Sequence, residues 1–471
     1  MIALLSKERT IAPPHFRRWW IPLCALATHL CIGQAYAFSV FNLPLTRAIG
    51  ITQSAPDDWK LTEVGWIFSI AIAMLGASAA LFGKWVQSEG PRKAGFVAAL
   101  LWGAGFLVAA TGLRAHHLGL VCFGYGVLGG CGLGIGYITP VSTLIAWFPD
   151  RRGMATGMAI MGFGGGALIA SPLSVALMKR FASPTSTGVA ETWTVLGAIY
   201  LVVMTAGAFG YRVPAPEWKP AGFTEPPAKA GAFITRKNVD PAQAIRTRQF
   251  WLLWVVLCFN VTAGIGVLGQ ASAMVQEVFR GKVSAAEAAG FVGLLSMFNM
   301  AGRFAWASLS DAIGRKRTYA CFFTLGPVLY LLVPLTGQLG VVPLFVGCLG
   351  VILTMYGGGF ATIPAYLADI FGTKYVSAVH GRLLTAWSAA GVLGPVLVNY
   401  IRQFQIERGV PRYQAYNVTM FIMAGLLLVA FAANAAVKPV DDRYAEGDDE
   451  QDAADEASSA LPTAAAPRHA A

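Results

Sequence analysis

The sequence predicts an all-α membrane protein with twelve transmembrane helices in two pseudo-symmetric six-helix halves. Three observations predict it. The 471 residues are 56% hydrophobic and only 13% charged, with a mean hydropathy of +0.57, whereas a soluble domain carries about 25% charge. The apolar residues fall in long, nearly charge-free runs separated by short polar turns, as helices crossing roughly 30 Å of hydrocarbon require. The two halves of the chain also share landmarks at one offset. Moved back by 224 residues, Gly314 falls on Gly90, Lys316 on Arg92, Pro364 on Pro140 and Gly381 on Gly157, which is the signature of a repeated unit.

Taken in order, the N-terminal half (1–211) starts with a short basic segment carrying Lys7, Arg9, Arg17 and Arg18. Its spans are expected at 19–45, 62–82, 94–113, 118–147, from the Gly153 turn to 178, and 193–209. The fourth is rich in glycine from Gly124 to Gly136, and small residues let membrane helices approach closely. Residues 212–248 hold six prolines and seven basic residues. They read as a partly disordered cytoplasmic linker with a short helix near its end. The C-terminal half (249–437) repeats the pattern with spans at 250–275, 286–309, 318–336, 341–367, 377–401 and 415–437. The stretch 438–471 is acidic and Ala-rich and reads as a disordered cytoplasmic tail.

The first apolar run begins at Trp19, is too long for the core of a signal peptide, and lacks a convincing cleavage site. With both termini inside, the cytoplasmic segments carry more than twice the Lys and Arg of the outer loops, so the positive-inside rule orients the protein that way in an inner (plasma) membrane. That bias explains the +11 net charge, and no nucleic-acid partner is implied. The seven cysteines lie singly inside apolar runs and read as packing residues rather than metal ligands or disulfides.

The charge that needs an explanation is Arg303. It lies eight residues before Asp311 and the basic turn Arg315-Lys316-Arg317, about 12 Å deeper along a helix. That depth is close to the bilayer midplane. A guanidinium there is costly and cannot deprotonate, so Arg303 is expected to face a central cavity and bind an anionic substrate. The plainer reading is a cation tied to helix carbonyls. Asn299 sits one turn earlier on the same face. Gln34 and Tyr36 lie mid-span on the first helix with donors for a carboxylate. Tyr356 and Trp387 would supply an aromatic wall. Each has a bland alternative in interhelical hydrogen bonding or packing. Tyr137 and Gln270 are weaker candidates, and His29 reads as a packed histidine. His380 and Arg382 near the start of helix eleven read as an anchor or an entry-path cation.

At these residues the chain resembles a known family. Ala307-Ser-Leu-Ser-Asp311-Ala-Ile-Gly314-Arg315-Lys316 resembles the loop motif of the major facilitator superfamily, whose first copy is degenerate, with Gln87 in place of the acid and Ser88 in place of an Arg. More narrowly, Gly33-x-x-Tyr36-x-x-Ser39-x-Phe41, Trp147-Phe-Pro-Asp-Arg-Arg-Gly153, Arg248-Gln-Phe-Trp251, Asn299-x-x-x-Arg303 and Gly381-Arg-Leu-Leu-Thr-Ala-Trp387 resemble the oxalate/formate antiporter family. The resemblance implies the major facilitator fold and exchange of small carboxylates by alternating access. Oxalate-exchanging members place a Lys on the eleventh helix, where this chain has Trp387, so a monocarboxylate fits better than oxalate. Related monocarboxylate–proton symporters place an Asp where this chain has Asn299, which cannot carry a proton. Asp311 with Arg315 and Lys316, and Asp150 with Arg151 and Arg152, are expected to act as cytoplasmic gate elements.

The leading expectation is therefore a secondary transporter of small organic anions, working as a monomer in the bilayer. A proton-coupled monocarboxylate or drug carrier of the same fold would need a titratable midplane group, and only His29 is available. A ligand sensor would carry a further signalling domain. No nucleophile–base pair, P-loop, nucleotide fingerprint or metal cluster is legible, so neither enzyme activity nor a cofactor is expected.

Overall fold

The computed structural model describes residues 2–223, 234–235, 237–279, 282–283 and 285–446. Twelve long helices account for most of them. They are α1 (Trp20–Ile32), α2 (Leu61–Glu89), α3 (Pro91–Arg114), α4 (Leu118–Trp147), α5 (Arg152–Phe181), α6 (Val189–Gly210), α7 (Arg248–Val278), α8 (Ala285–Ile313), α9 (Arg315–Gln338), α10 (Val342–Phe371), α11 (Val376–Glu407) and α12 (Asn417–Ala436). Among the described residues, eleven of these segments are long and apolar enough to cross a membrane. The exception is α8 (Ala285–Ile313), whose hydropathy is lowered by Asn299 and Arg303 at its middle. The helix that falls short is thus the one carrying the candidate site.

Three helices depart from regular α geometry. Past Ile32, α1 continues as a 3₁₀ stretch, Gly33–Phe41, and a last α-turn, Asn42–Leu45. Such a long 3₁₀ run is uncommon and marks strain or a hinge. The first part of α4 is π-helical over Cys122–Gly129. A turn at Leu384 divides α11 into Val376–Leu383 and Thr385–Glu407.

The internal repeat is visible in the backbone. Gly90 and Gly314 start α3 and α9 with φ of 84° and 89°, a region that favours glycine. Pro140 and Pro364 lie inside α4 and α10. The halves meet mainly where α5 packs on α8 and α2 on α11. The close approaches run along one end of these helices. A Cβ on Gly153 would strike the Ala307 carbonyl, one on Gly83 would strike Ala378, and one on Gly76 would strike Ser388. That end, which also holds the linker and both ends of the described chain, is termed the base.

The linker is anchored where it is described. Ala12 N–H donates to the Val213 carbonyl at 2.9 Å, and Val239 N–H to that of Phe371 at 3.0 Å. The expected short helix is the single turn Pro241–Ala244, capped by Asp240, whose carboxylate also pairs with Lys84 of α2 at 2.9 Å. The first residues assigned to the tail are held as well. Glu446 pairs with Lys374 at 2.9 Å and its N–H donates to the Asn238 carbonyl at 2.9 Å. Contacts thus hold the chain as far as Glu446. The rest of the acidic tail lies outside the described residues.

Candidate functional site

Arg303 is wholly buried on α8, between helices of both halves. Glycines make room for it. A Cβ at Gly164 of α5 would stand 3.1 Å from its Nε, and one at Gly357 of α10 would stand 3.0 Å from its Cγ. Its Nε donates to Asn299 Oδ1 at 3.0 Å. Longer contacts of 3.4 Å reach the Ile160 carbonyl and the Tyr36 hydroxyl. Three ring faces surround the guanidinium carbon, those of Phe360 at 5.2 Å, Phe163 at 5.7 Å and Tyr36 at 5.9 Å. Cation–π contacts of this kind contribute up to about 2 kcal/mol when desolvated. They offset part of the burial cost and leave the positive charge in place. No carboxylate forms an ion pair with Arg303 among the described residues.

The remaining wall is aromatic. Trp387 stands 4.7 Å from Phe360, 5.4 Å from both Phe163 and Tyr137, and 6.4 Å from Tyr36. The hydroxyls of Tyr36 and Tyr356 lie 3.1 Å apart, linking α1 to α10 across the halves. The structure thus brings Arg303, Asn299, Tyr36, Tyr356 and Trp387 together. It does not bring Gln34 with them. Gln34 accepts a hydrogen bond from Tyr125 at 3.1 Å, and Tyr125 packs on Trp102, Phe106 and Trp193 inside the N-terminal half. Residues i and i+2 of a helix do not share a face, so Gln34 and Tyr36 could not both turn to Arg303. Phe163 and Phe360 were absent from the sequence reading, and the repeat was the signal available for Phe163, since the same 224-residue shift sets it on Trp387.

At the base, Asp311 accepts from the backbone N–H groups of Gly153 and Met154, both at 2.8 Å, at the start of α5, where a helix dipole favours an anion. Arg315 pairs with Asp311 at 2.7 Å and with Asp369 of α10 at 3.1 Å. Arg152 of α5 reaches the other Asp369 oxygen at 3.1 Å. Asp369 therefore joins the two halves, although its place near a helix end had hidden it in the sequence. Three expected gate residues lie elsewhere. Asp150 pairs with Arg18 of its own half at 2.8 Å. Burial alone would raise its carboxyl, but the bonds from Arg18 outweigh that and hold it below the usual range. Lys316 caps the end of α12 through the Ala435 and Val437 carbonyls, each at 2.8 Å. Arg151 is exposed. Sequence adjacency suggested local clusters, whereas the partners came from distant helices.

Two six-helix halves packed about a buried cluster are the build of a membrane carrier. A profile of the Major Facilitator Superfamily matches residues 23–395 and again 283–468. The chain belongs to the Major Facilitator Superfamily; it is a multi-pass membrane transporter and not an enzyme. It is 28% identical over 378 residues to the oxalate:formate antiporter of Oxalobacter formigenes, covering 80% of this chain and 83% of that one. It is 25% identical over 392 residues to apicoplast pyruvate carrier 1 of Toxoplasma gondii, covering 72% and 70%. It is 25% identical over 410 residues to monocarboxylate transporter 3 of Rattus norvegicus, covering 85% and 78%. Among solved structures, the E. coli fucose:proton symporter superposes with a TM-score of 0.61 at 15% identity, over 88% of this chain and 97% of that one. The human organic anion transporter MFSD10 gives 0.61 at 14% identity, over 90% and 100%. These structural likenesses speak to the fold alone.

Proposed function

We propose that this transporter carries small monocarboxylates by exchange, with Arg303 binding the carboxylate. The observation that carries the proposal is the burial of Arg303 between the two halves with no acid paired to it among the described residues. Such a cation attracts an anion, and a carboxylate can accept two of its N–H groups. The named activities of the relatives, oxalate:formate antiport and pyruvate carriage, support the same reading. Tyr36, Tyr356 and the aromatic wall would enclose the small substituent. Trp387 in place of a second cation favours one carboxylate over two.

The base is the cytoplasmic face of a plasma membrane in this reading, because the Lys and Arg bias lies there. Asp311, Arg315, Asp369 and Arg152 would close that face while the site opens outward. Their bonds would break when the halves rock. An unoccupied Arg303 lacks a counter-charge, so the empty carrier would reorient slowly and exchange would outrun net flux. Asn299 cannot titrate, which counts against proton coupling at that position.

The experiment is uptake of radiolabelled formate, oxalate, lactate and pyruvate into liposomes holding purified protein. Saturable uptake of a monocarboxylate, stimulated at least tenfold by unlabelled acid inside and lost in Arg303→Ala, is the expected result. Uptake indifferent to internal acid rejects exchange. Uptake that survives the substitution rejects the site.

A further inference from the structure

At the base the linker ties the two halves through a bond that lies apart from the Asp369 cluster. Asp240 divides its carboxylate between two partners. One oxygen accepts the Ala242 N–H at 2.6 Å and caps the turn Pro241–Ala244. The other pairs with Lys84 of α2 at 2.9 Å. Lys84 belongs to the N-terminal half and follows Gly83, where α2 lies against Ala378 of α11. The stretch before Asp240 is stitched to the C-terminal half instead. Thr235 and Val239 donate their N–H groups to the Asp369 and Phe371 carbonyls at 2.8 and 3.0 Å, and Asn238 Oδ1 accepts the Lys374 N–H at 3.1 Å. The tail fastens the same stretch. The Glu446 N–H donates to the Asn238 carbonyl at 2.9 Å, and its carboxylate holds Lys374 and the Tyr375 hydroxyl. This part of the linker therefore moves with the C-terminal half, and Asp240 is where it grips the other.

A second cation stands near the same carboxylate. Burial alone would raise the Asp240 carboxyl, but the bonds from Lys84 and the Ala242 N–H, with the charges of Lys84 and of Arg382 on α11, outweigh it. The Nη1 of Arg382 is buried and has no hydrogen-bond partner among the described residues. A buried donor left unpaired in a folded protein calls for a reason. The pair with Lys84 is open to solvent, with side chains 53% and 34% exposed. An ion pair as open as this one shifts an equilibrium by up to about fivefold. Such a bond can hold two bodies together and still break in every transport cycle.

We infer that Asp240 is a latch between the halves: bonded to Lys84 it holds the base shut, and passed to Arg382 it lets the base open. As α2 draws away from α11, Lys84 leaves with the N-terminal half. Asp240 stays with the C-terminal half, held by its own turn and by the tail, and the unpaired guanidinium of Arg382 takes the carboxylate. The carboxylate thus has a cation in both states, which lowers the cost of parting the halves. The latch works whichever anion Arg303 binds.

The test measures how fast a thiol reagent labels a cysteine placed at Ala307, read by mass spectrometry of the peptide that carries it. Ala307 is 0% exposed and lies at the other seam, where α5 packs on α8, so the readout is parting of the halves and not fraying beside the latch. The variants, in the full-length chain, are Lys84→Gln, Asp240→Asn, the two together, and Arg382→Gln. Asn caps a helical turn as well as Asp does, so Asp240→Asn removes the ion pair and keeps the turn, and Lys84 is an exposed side chain whose loss leaves the packing intact. Lys84→Gln and Asp240→Asn are each expected to label about two- to fivefold faster than wild type. The double variant should label no faster than either, because both remove one shared bond. Arg382→Gln should label more slowly than wild type, because the freed carboxylate then has no cation to receive it. Wild-type rates in both single variants, or single effects that multiply in the double, overturn the latch. An Arg382→Gln rate at or above that of wild type overturns the transfer. The assay needs no substrate, so either failure leaves the Arg303 reading standing.

Discussion

Phe163 and Trp387 occupy equivalent positions in the two repeats, 224 residues apart, and their rings meet 5.4 Å apart beside Arg303. Each half contributes the same element, a large aromatic ring on its fifth helix, to one wall of the site. The asymmetry lies in the charge beside these rings, which Arg303 of the second half supplies. Discrimination between one and two carboxylates should therefore depend on the ring facing that charge. Trp387→Lys places a second cation in the wall and is expected to raise oxalate uptake relative to formate by at least about tenfold, one good charge-assisted contact. Paired uptake assays with the two labelled acids measure the ratio.

Asn299 holds the guanidinium through its Oδ1 at 3.0 Å. Asn299→Asp keeps that geometry and adds the counter-charge that Arg303 lacks. Anion uptake at pH 7 should fall by about tenfold or more, because substrate must then compete with an internal carboxylate. Paired uptake assays on the variant and the wild type at pH 7 read this out.

Asp369 bonds Arg152 and Arg315 at once, and both it and Arg315 have side chains only 9% exposed. Asp369→Asn leaves Arg152 without its carboxylate and Arg315 with Asp311 alone, and breaking a buried pair in this way typically costs about 3–5 kcal/mol. The variant should expose the base of the bundle, measured as faster labelling of a cysteine placed at Ala307, and should melt several degrees lower. Asp150→Asn severs only the bond to Arg18 within one half and should leave the labelling rate at the wild-type value.

Asp58, in the loop between α1 and α2, accepts three backbone N–H groups, from Ile49, Ala55 and Gly50 at 2.7–2.9 Å. Burial alone would raise its carboxyl, but these bonds outweigh it and the pKa is lowered. A depressed pKa means the stabilisation is present above the unfolded value near 3.9 and is lost as the pH falls through the folded value. Proteolysis of this loop should be slow at neutral pH and accelerate only in strong acid. Asp58→Asn should be cut quickly at pH 7.

Much of this architecture was legible in the sequence for identifiable reasons. The positive-φ glycines Gly90 and Gly314 and the prolines Pro140 and Pro364 recur because each half needs the same turn and the same interrupted helix. Arg303 announced itself because a charge deep in an apolar run has few explanations. Side-chain direction was less legible. Gln34 and Tyr36 looked equivalent until the helix turned them to different neighbours. Asp150 lay beside basic residues in sequence but found Arg18 across the fold. Asp369 stands near a helix end, where its sequence neighbours give no sign of a partner, although helix ends at the base are where the halves meet. Phe163 and Phe360 sit in glycine-rich runs where an aromatic side chain reads as ordinary packing.

The central claim is that Arg303 holds the substrate carboxylate, and equilibrium binding to purified protein tests it most directly. Formate, lactate and pyruvate would be titrated into wild type, Arg303→Gln and Arg303→Lys, with tryptophan fluorescence from Trp387 as the signal. Binding of at least one acid to the wild type, loss of about a hundredfold in Arg303→Gln and partial retention in Arg303→Lys is the expected result, since a buried charge-assisted contact is worth about 1.5–3 kcal/mol. Equal affinity in wild type and Arg303→Gln would contradict the account and return Arg303 to a structural cation between two halves.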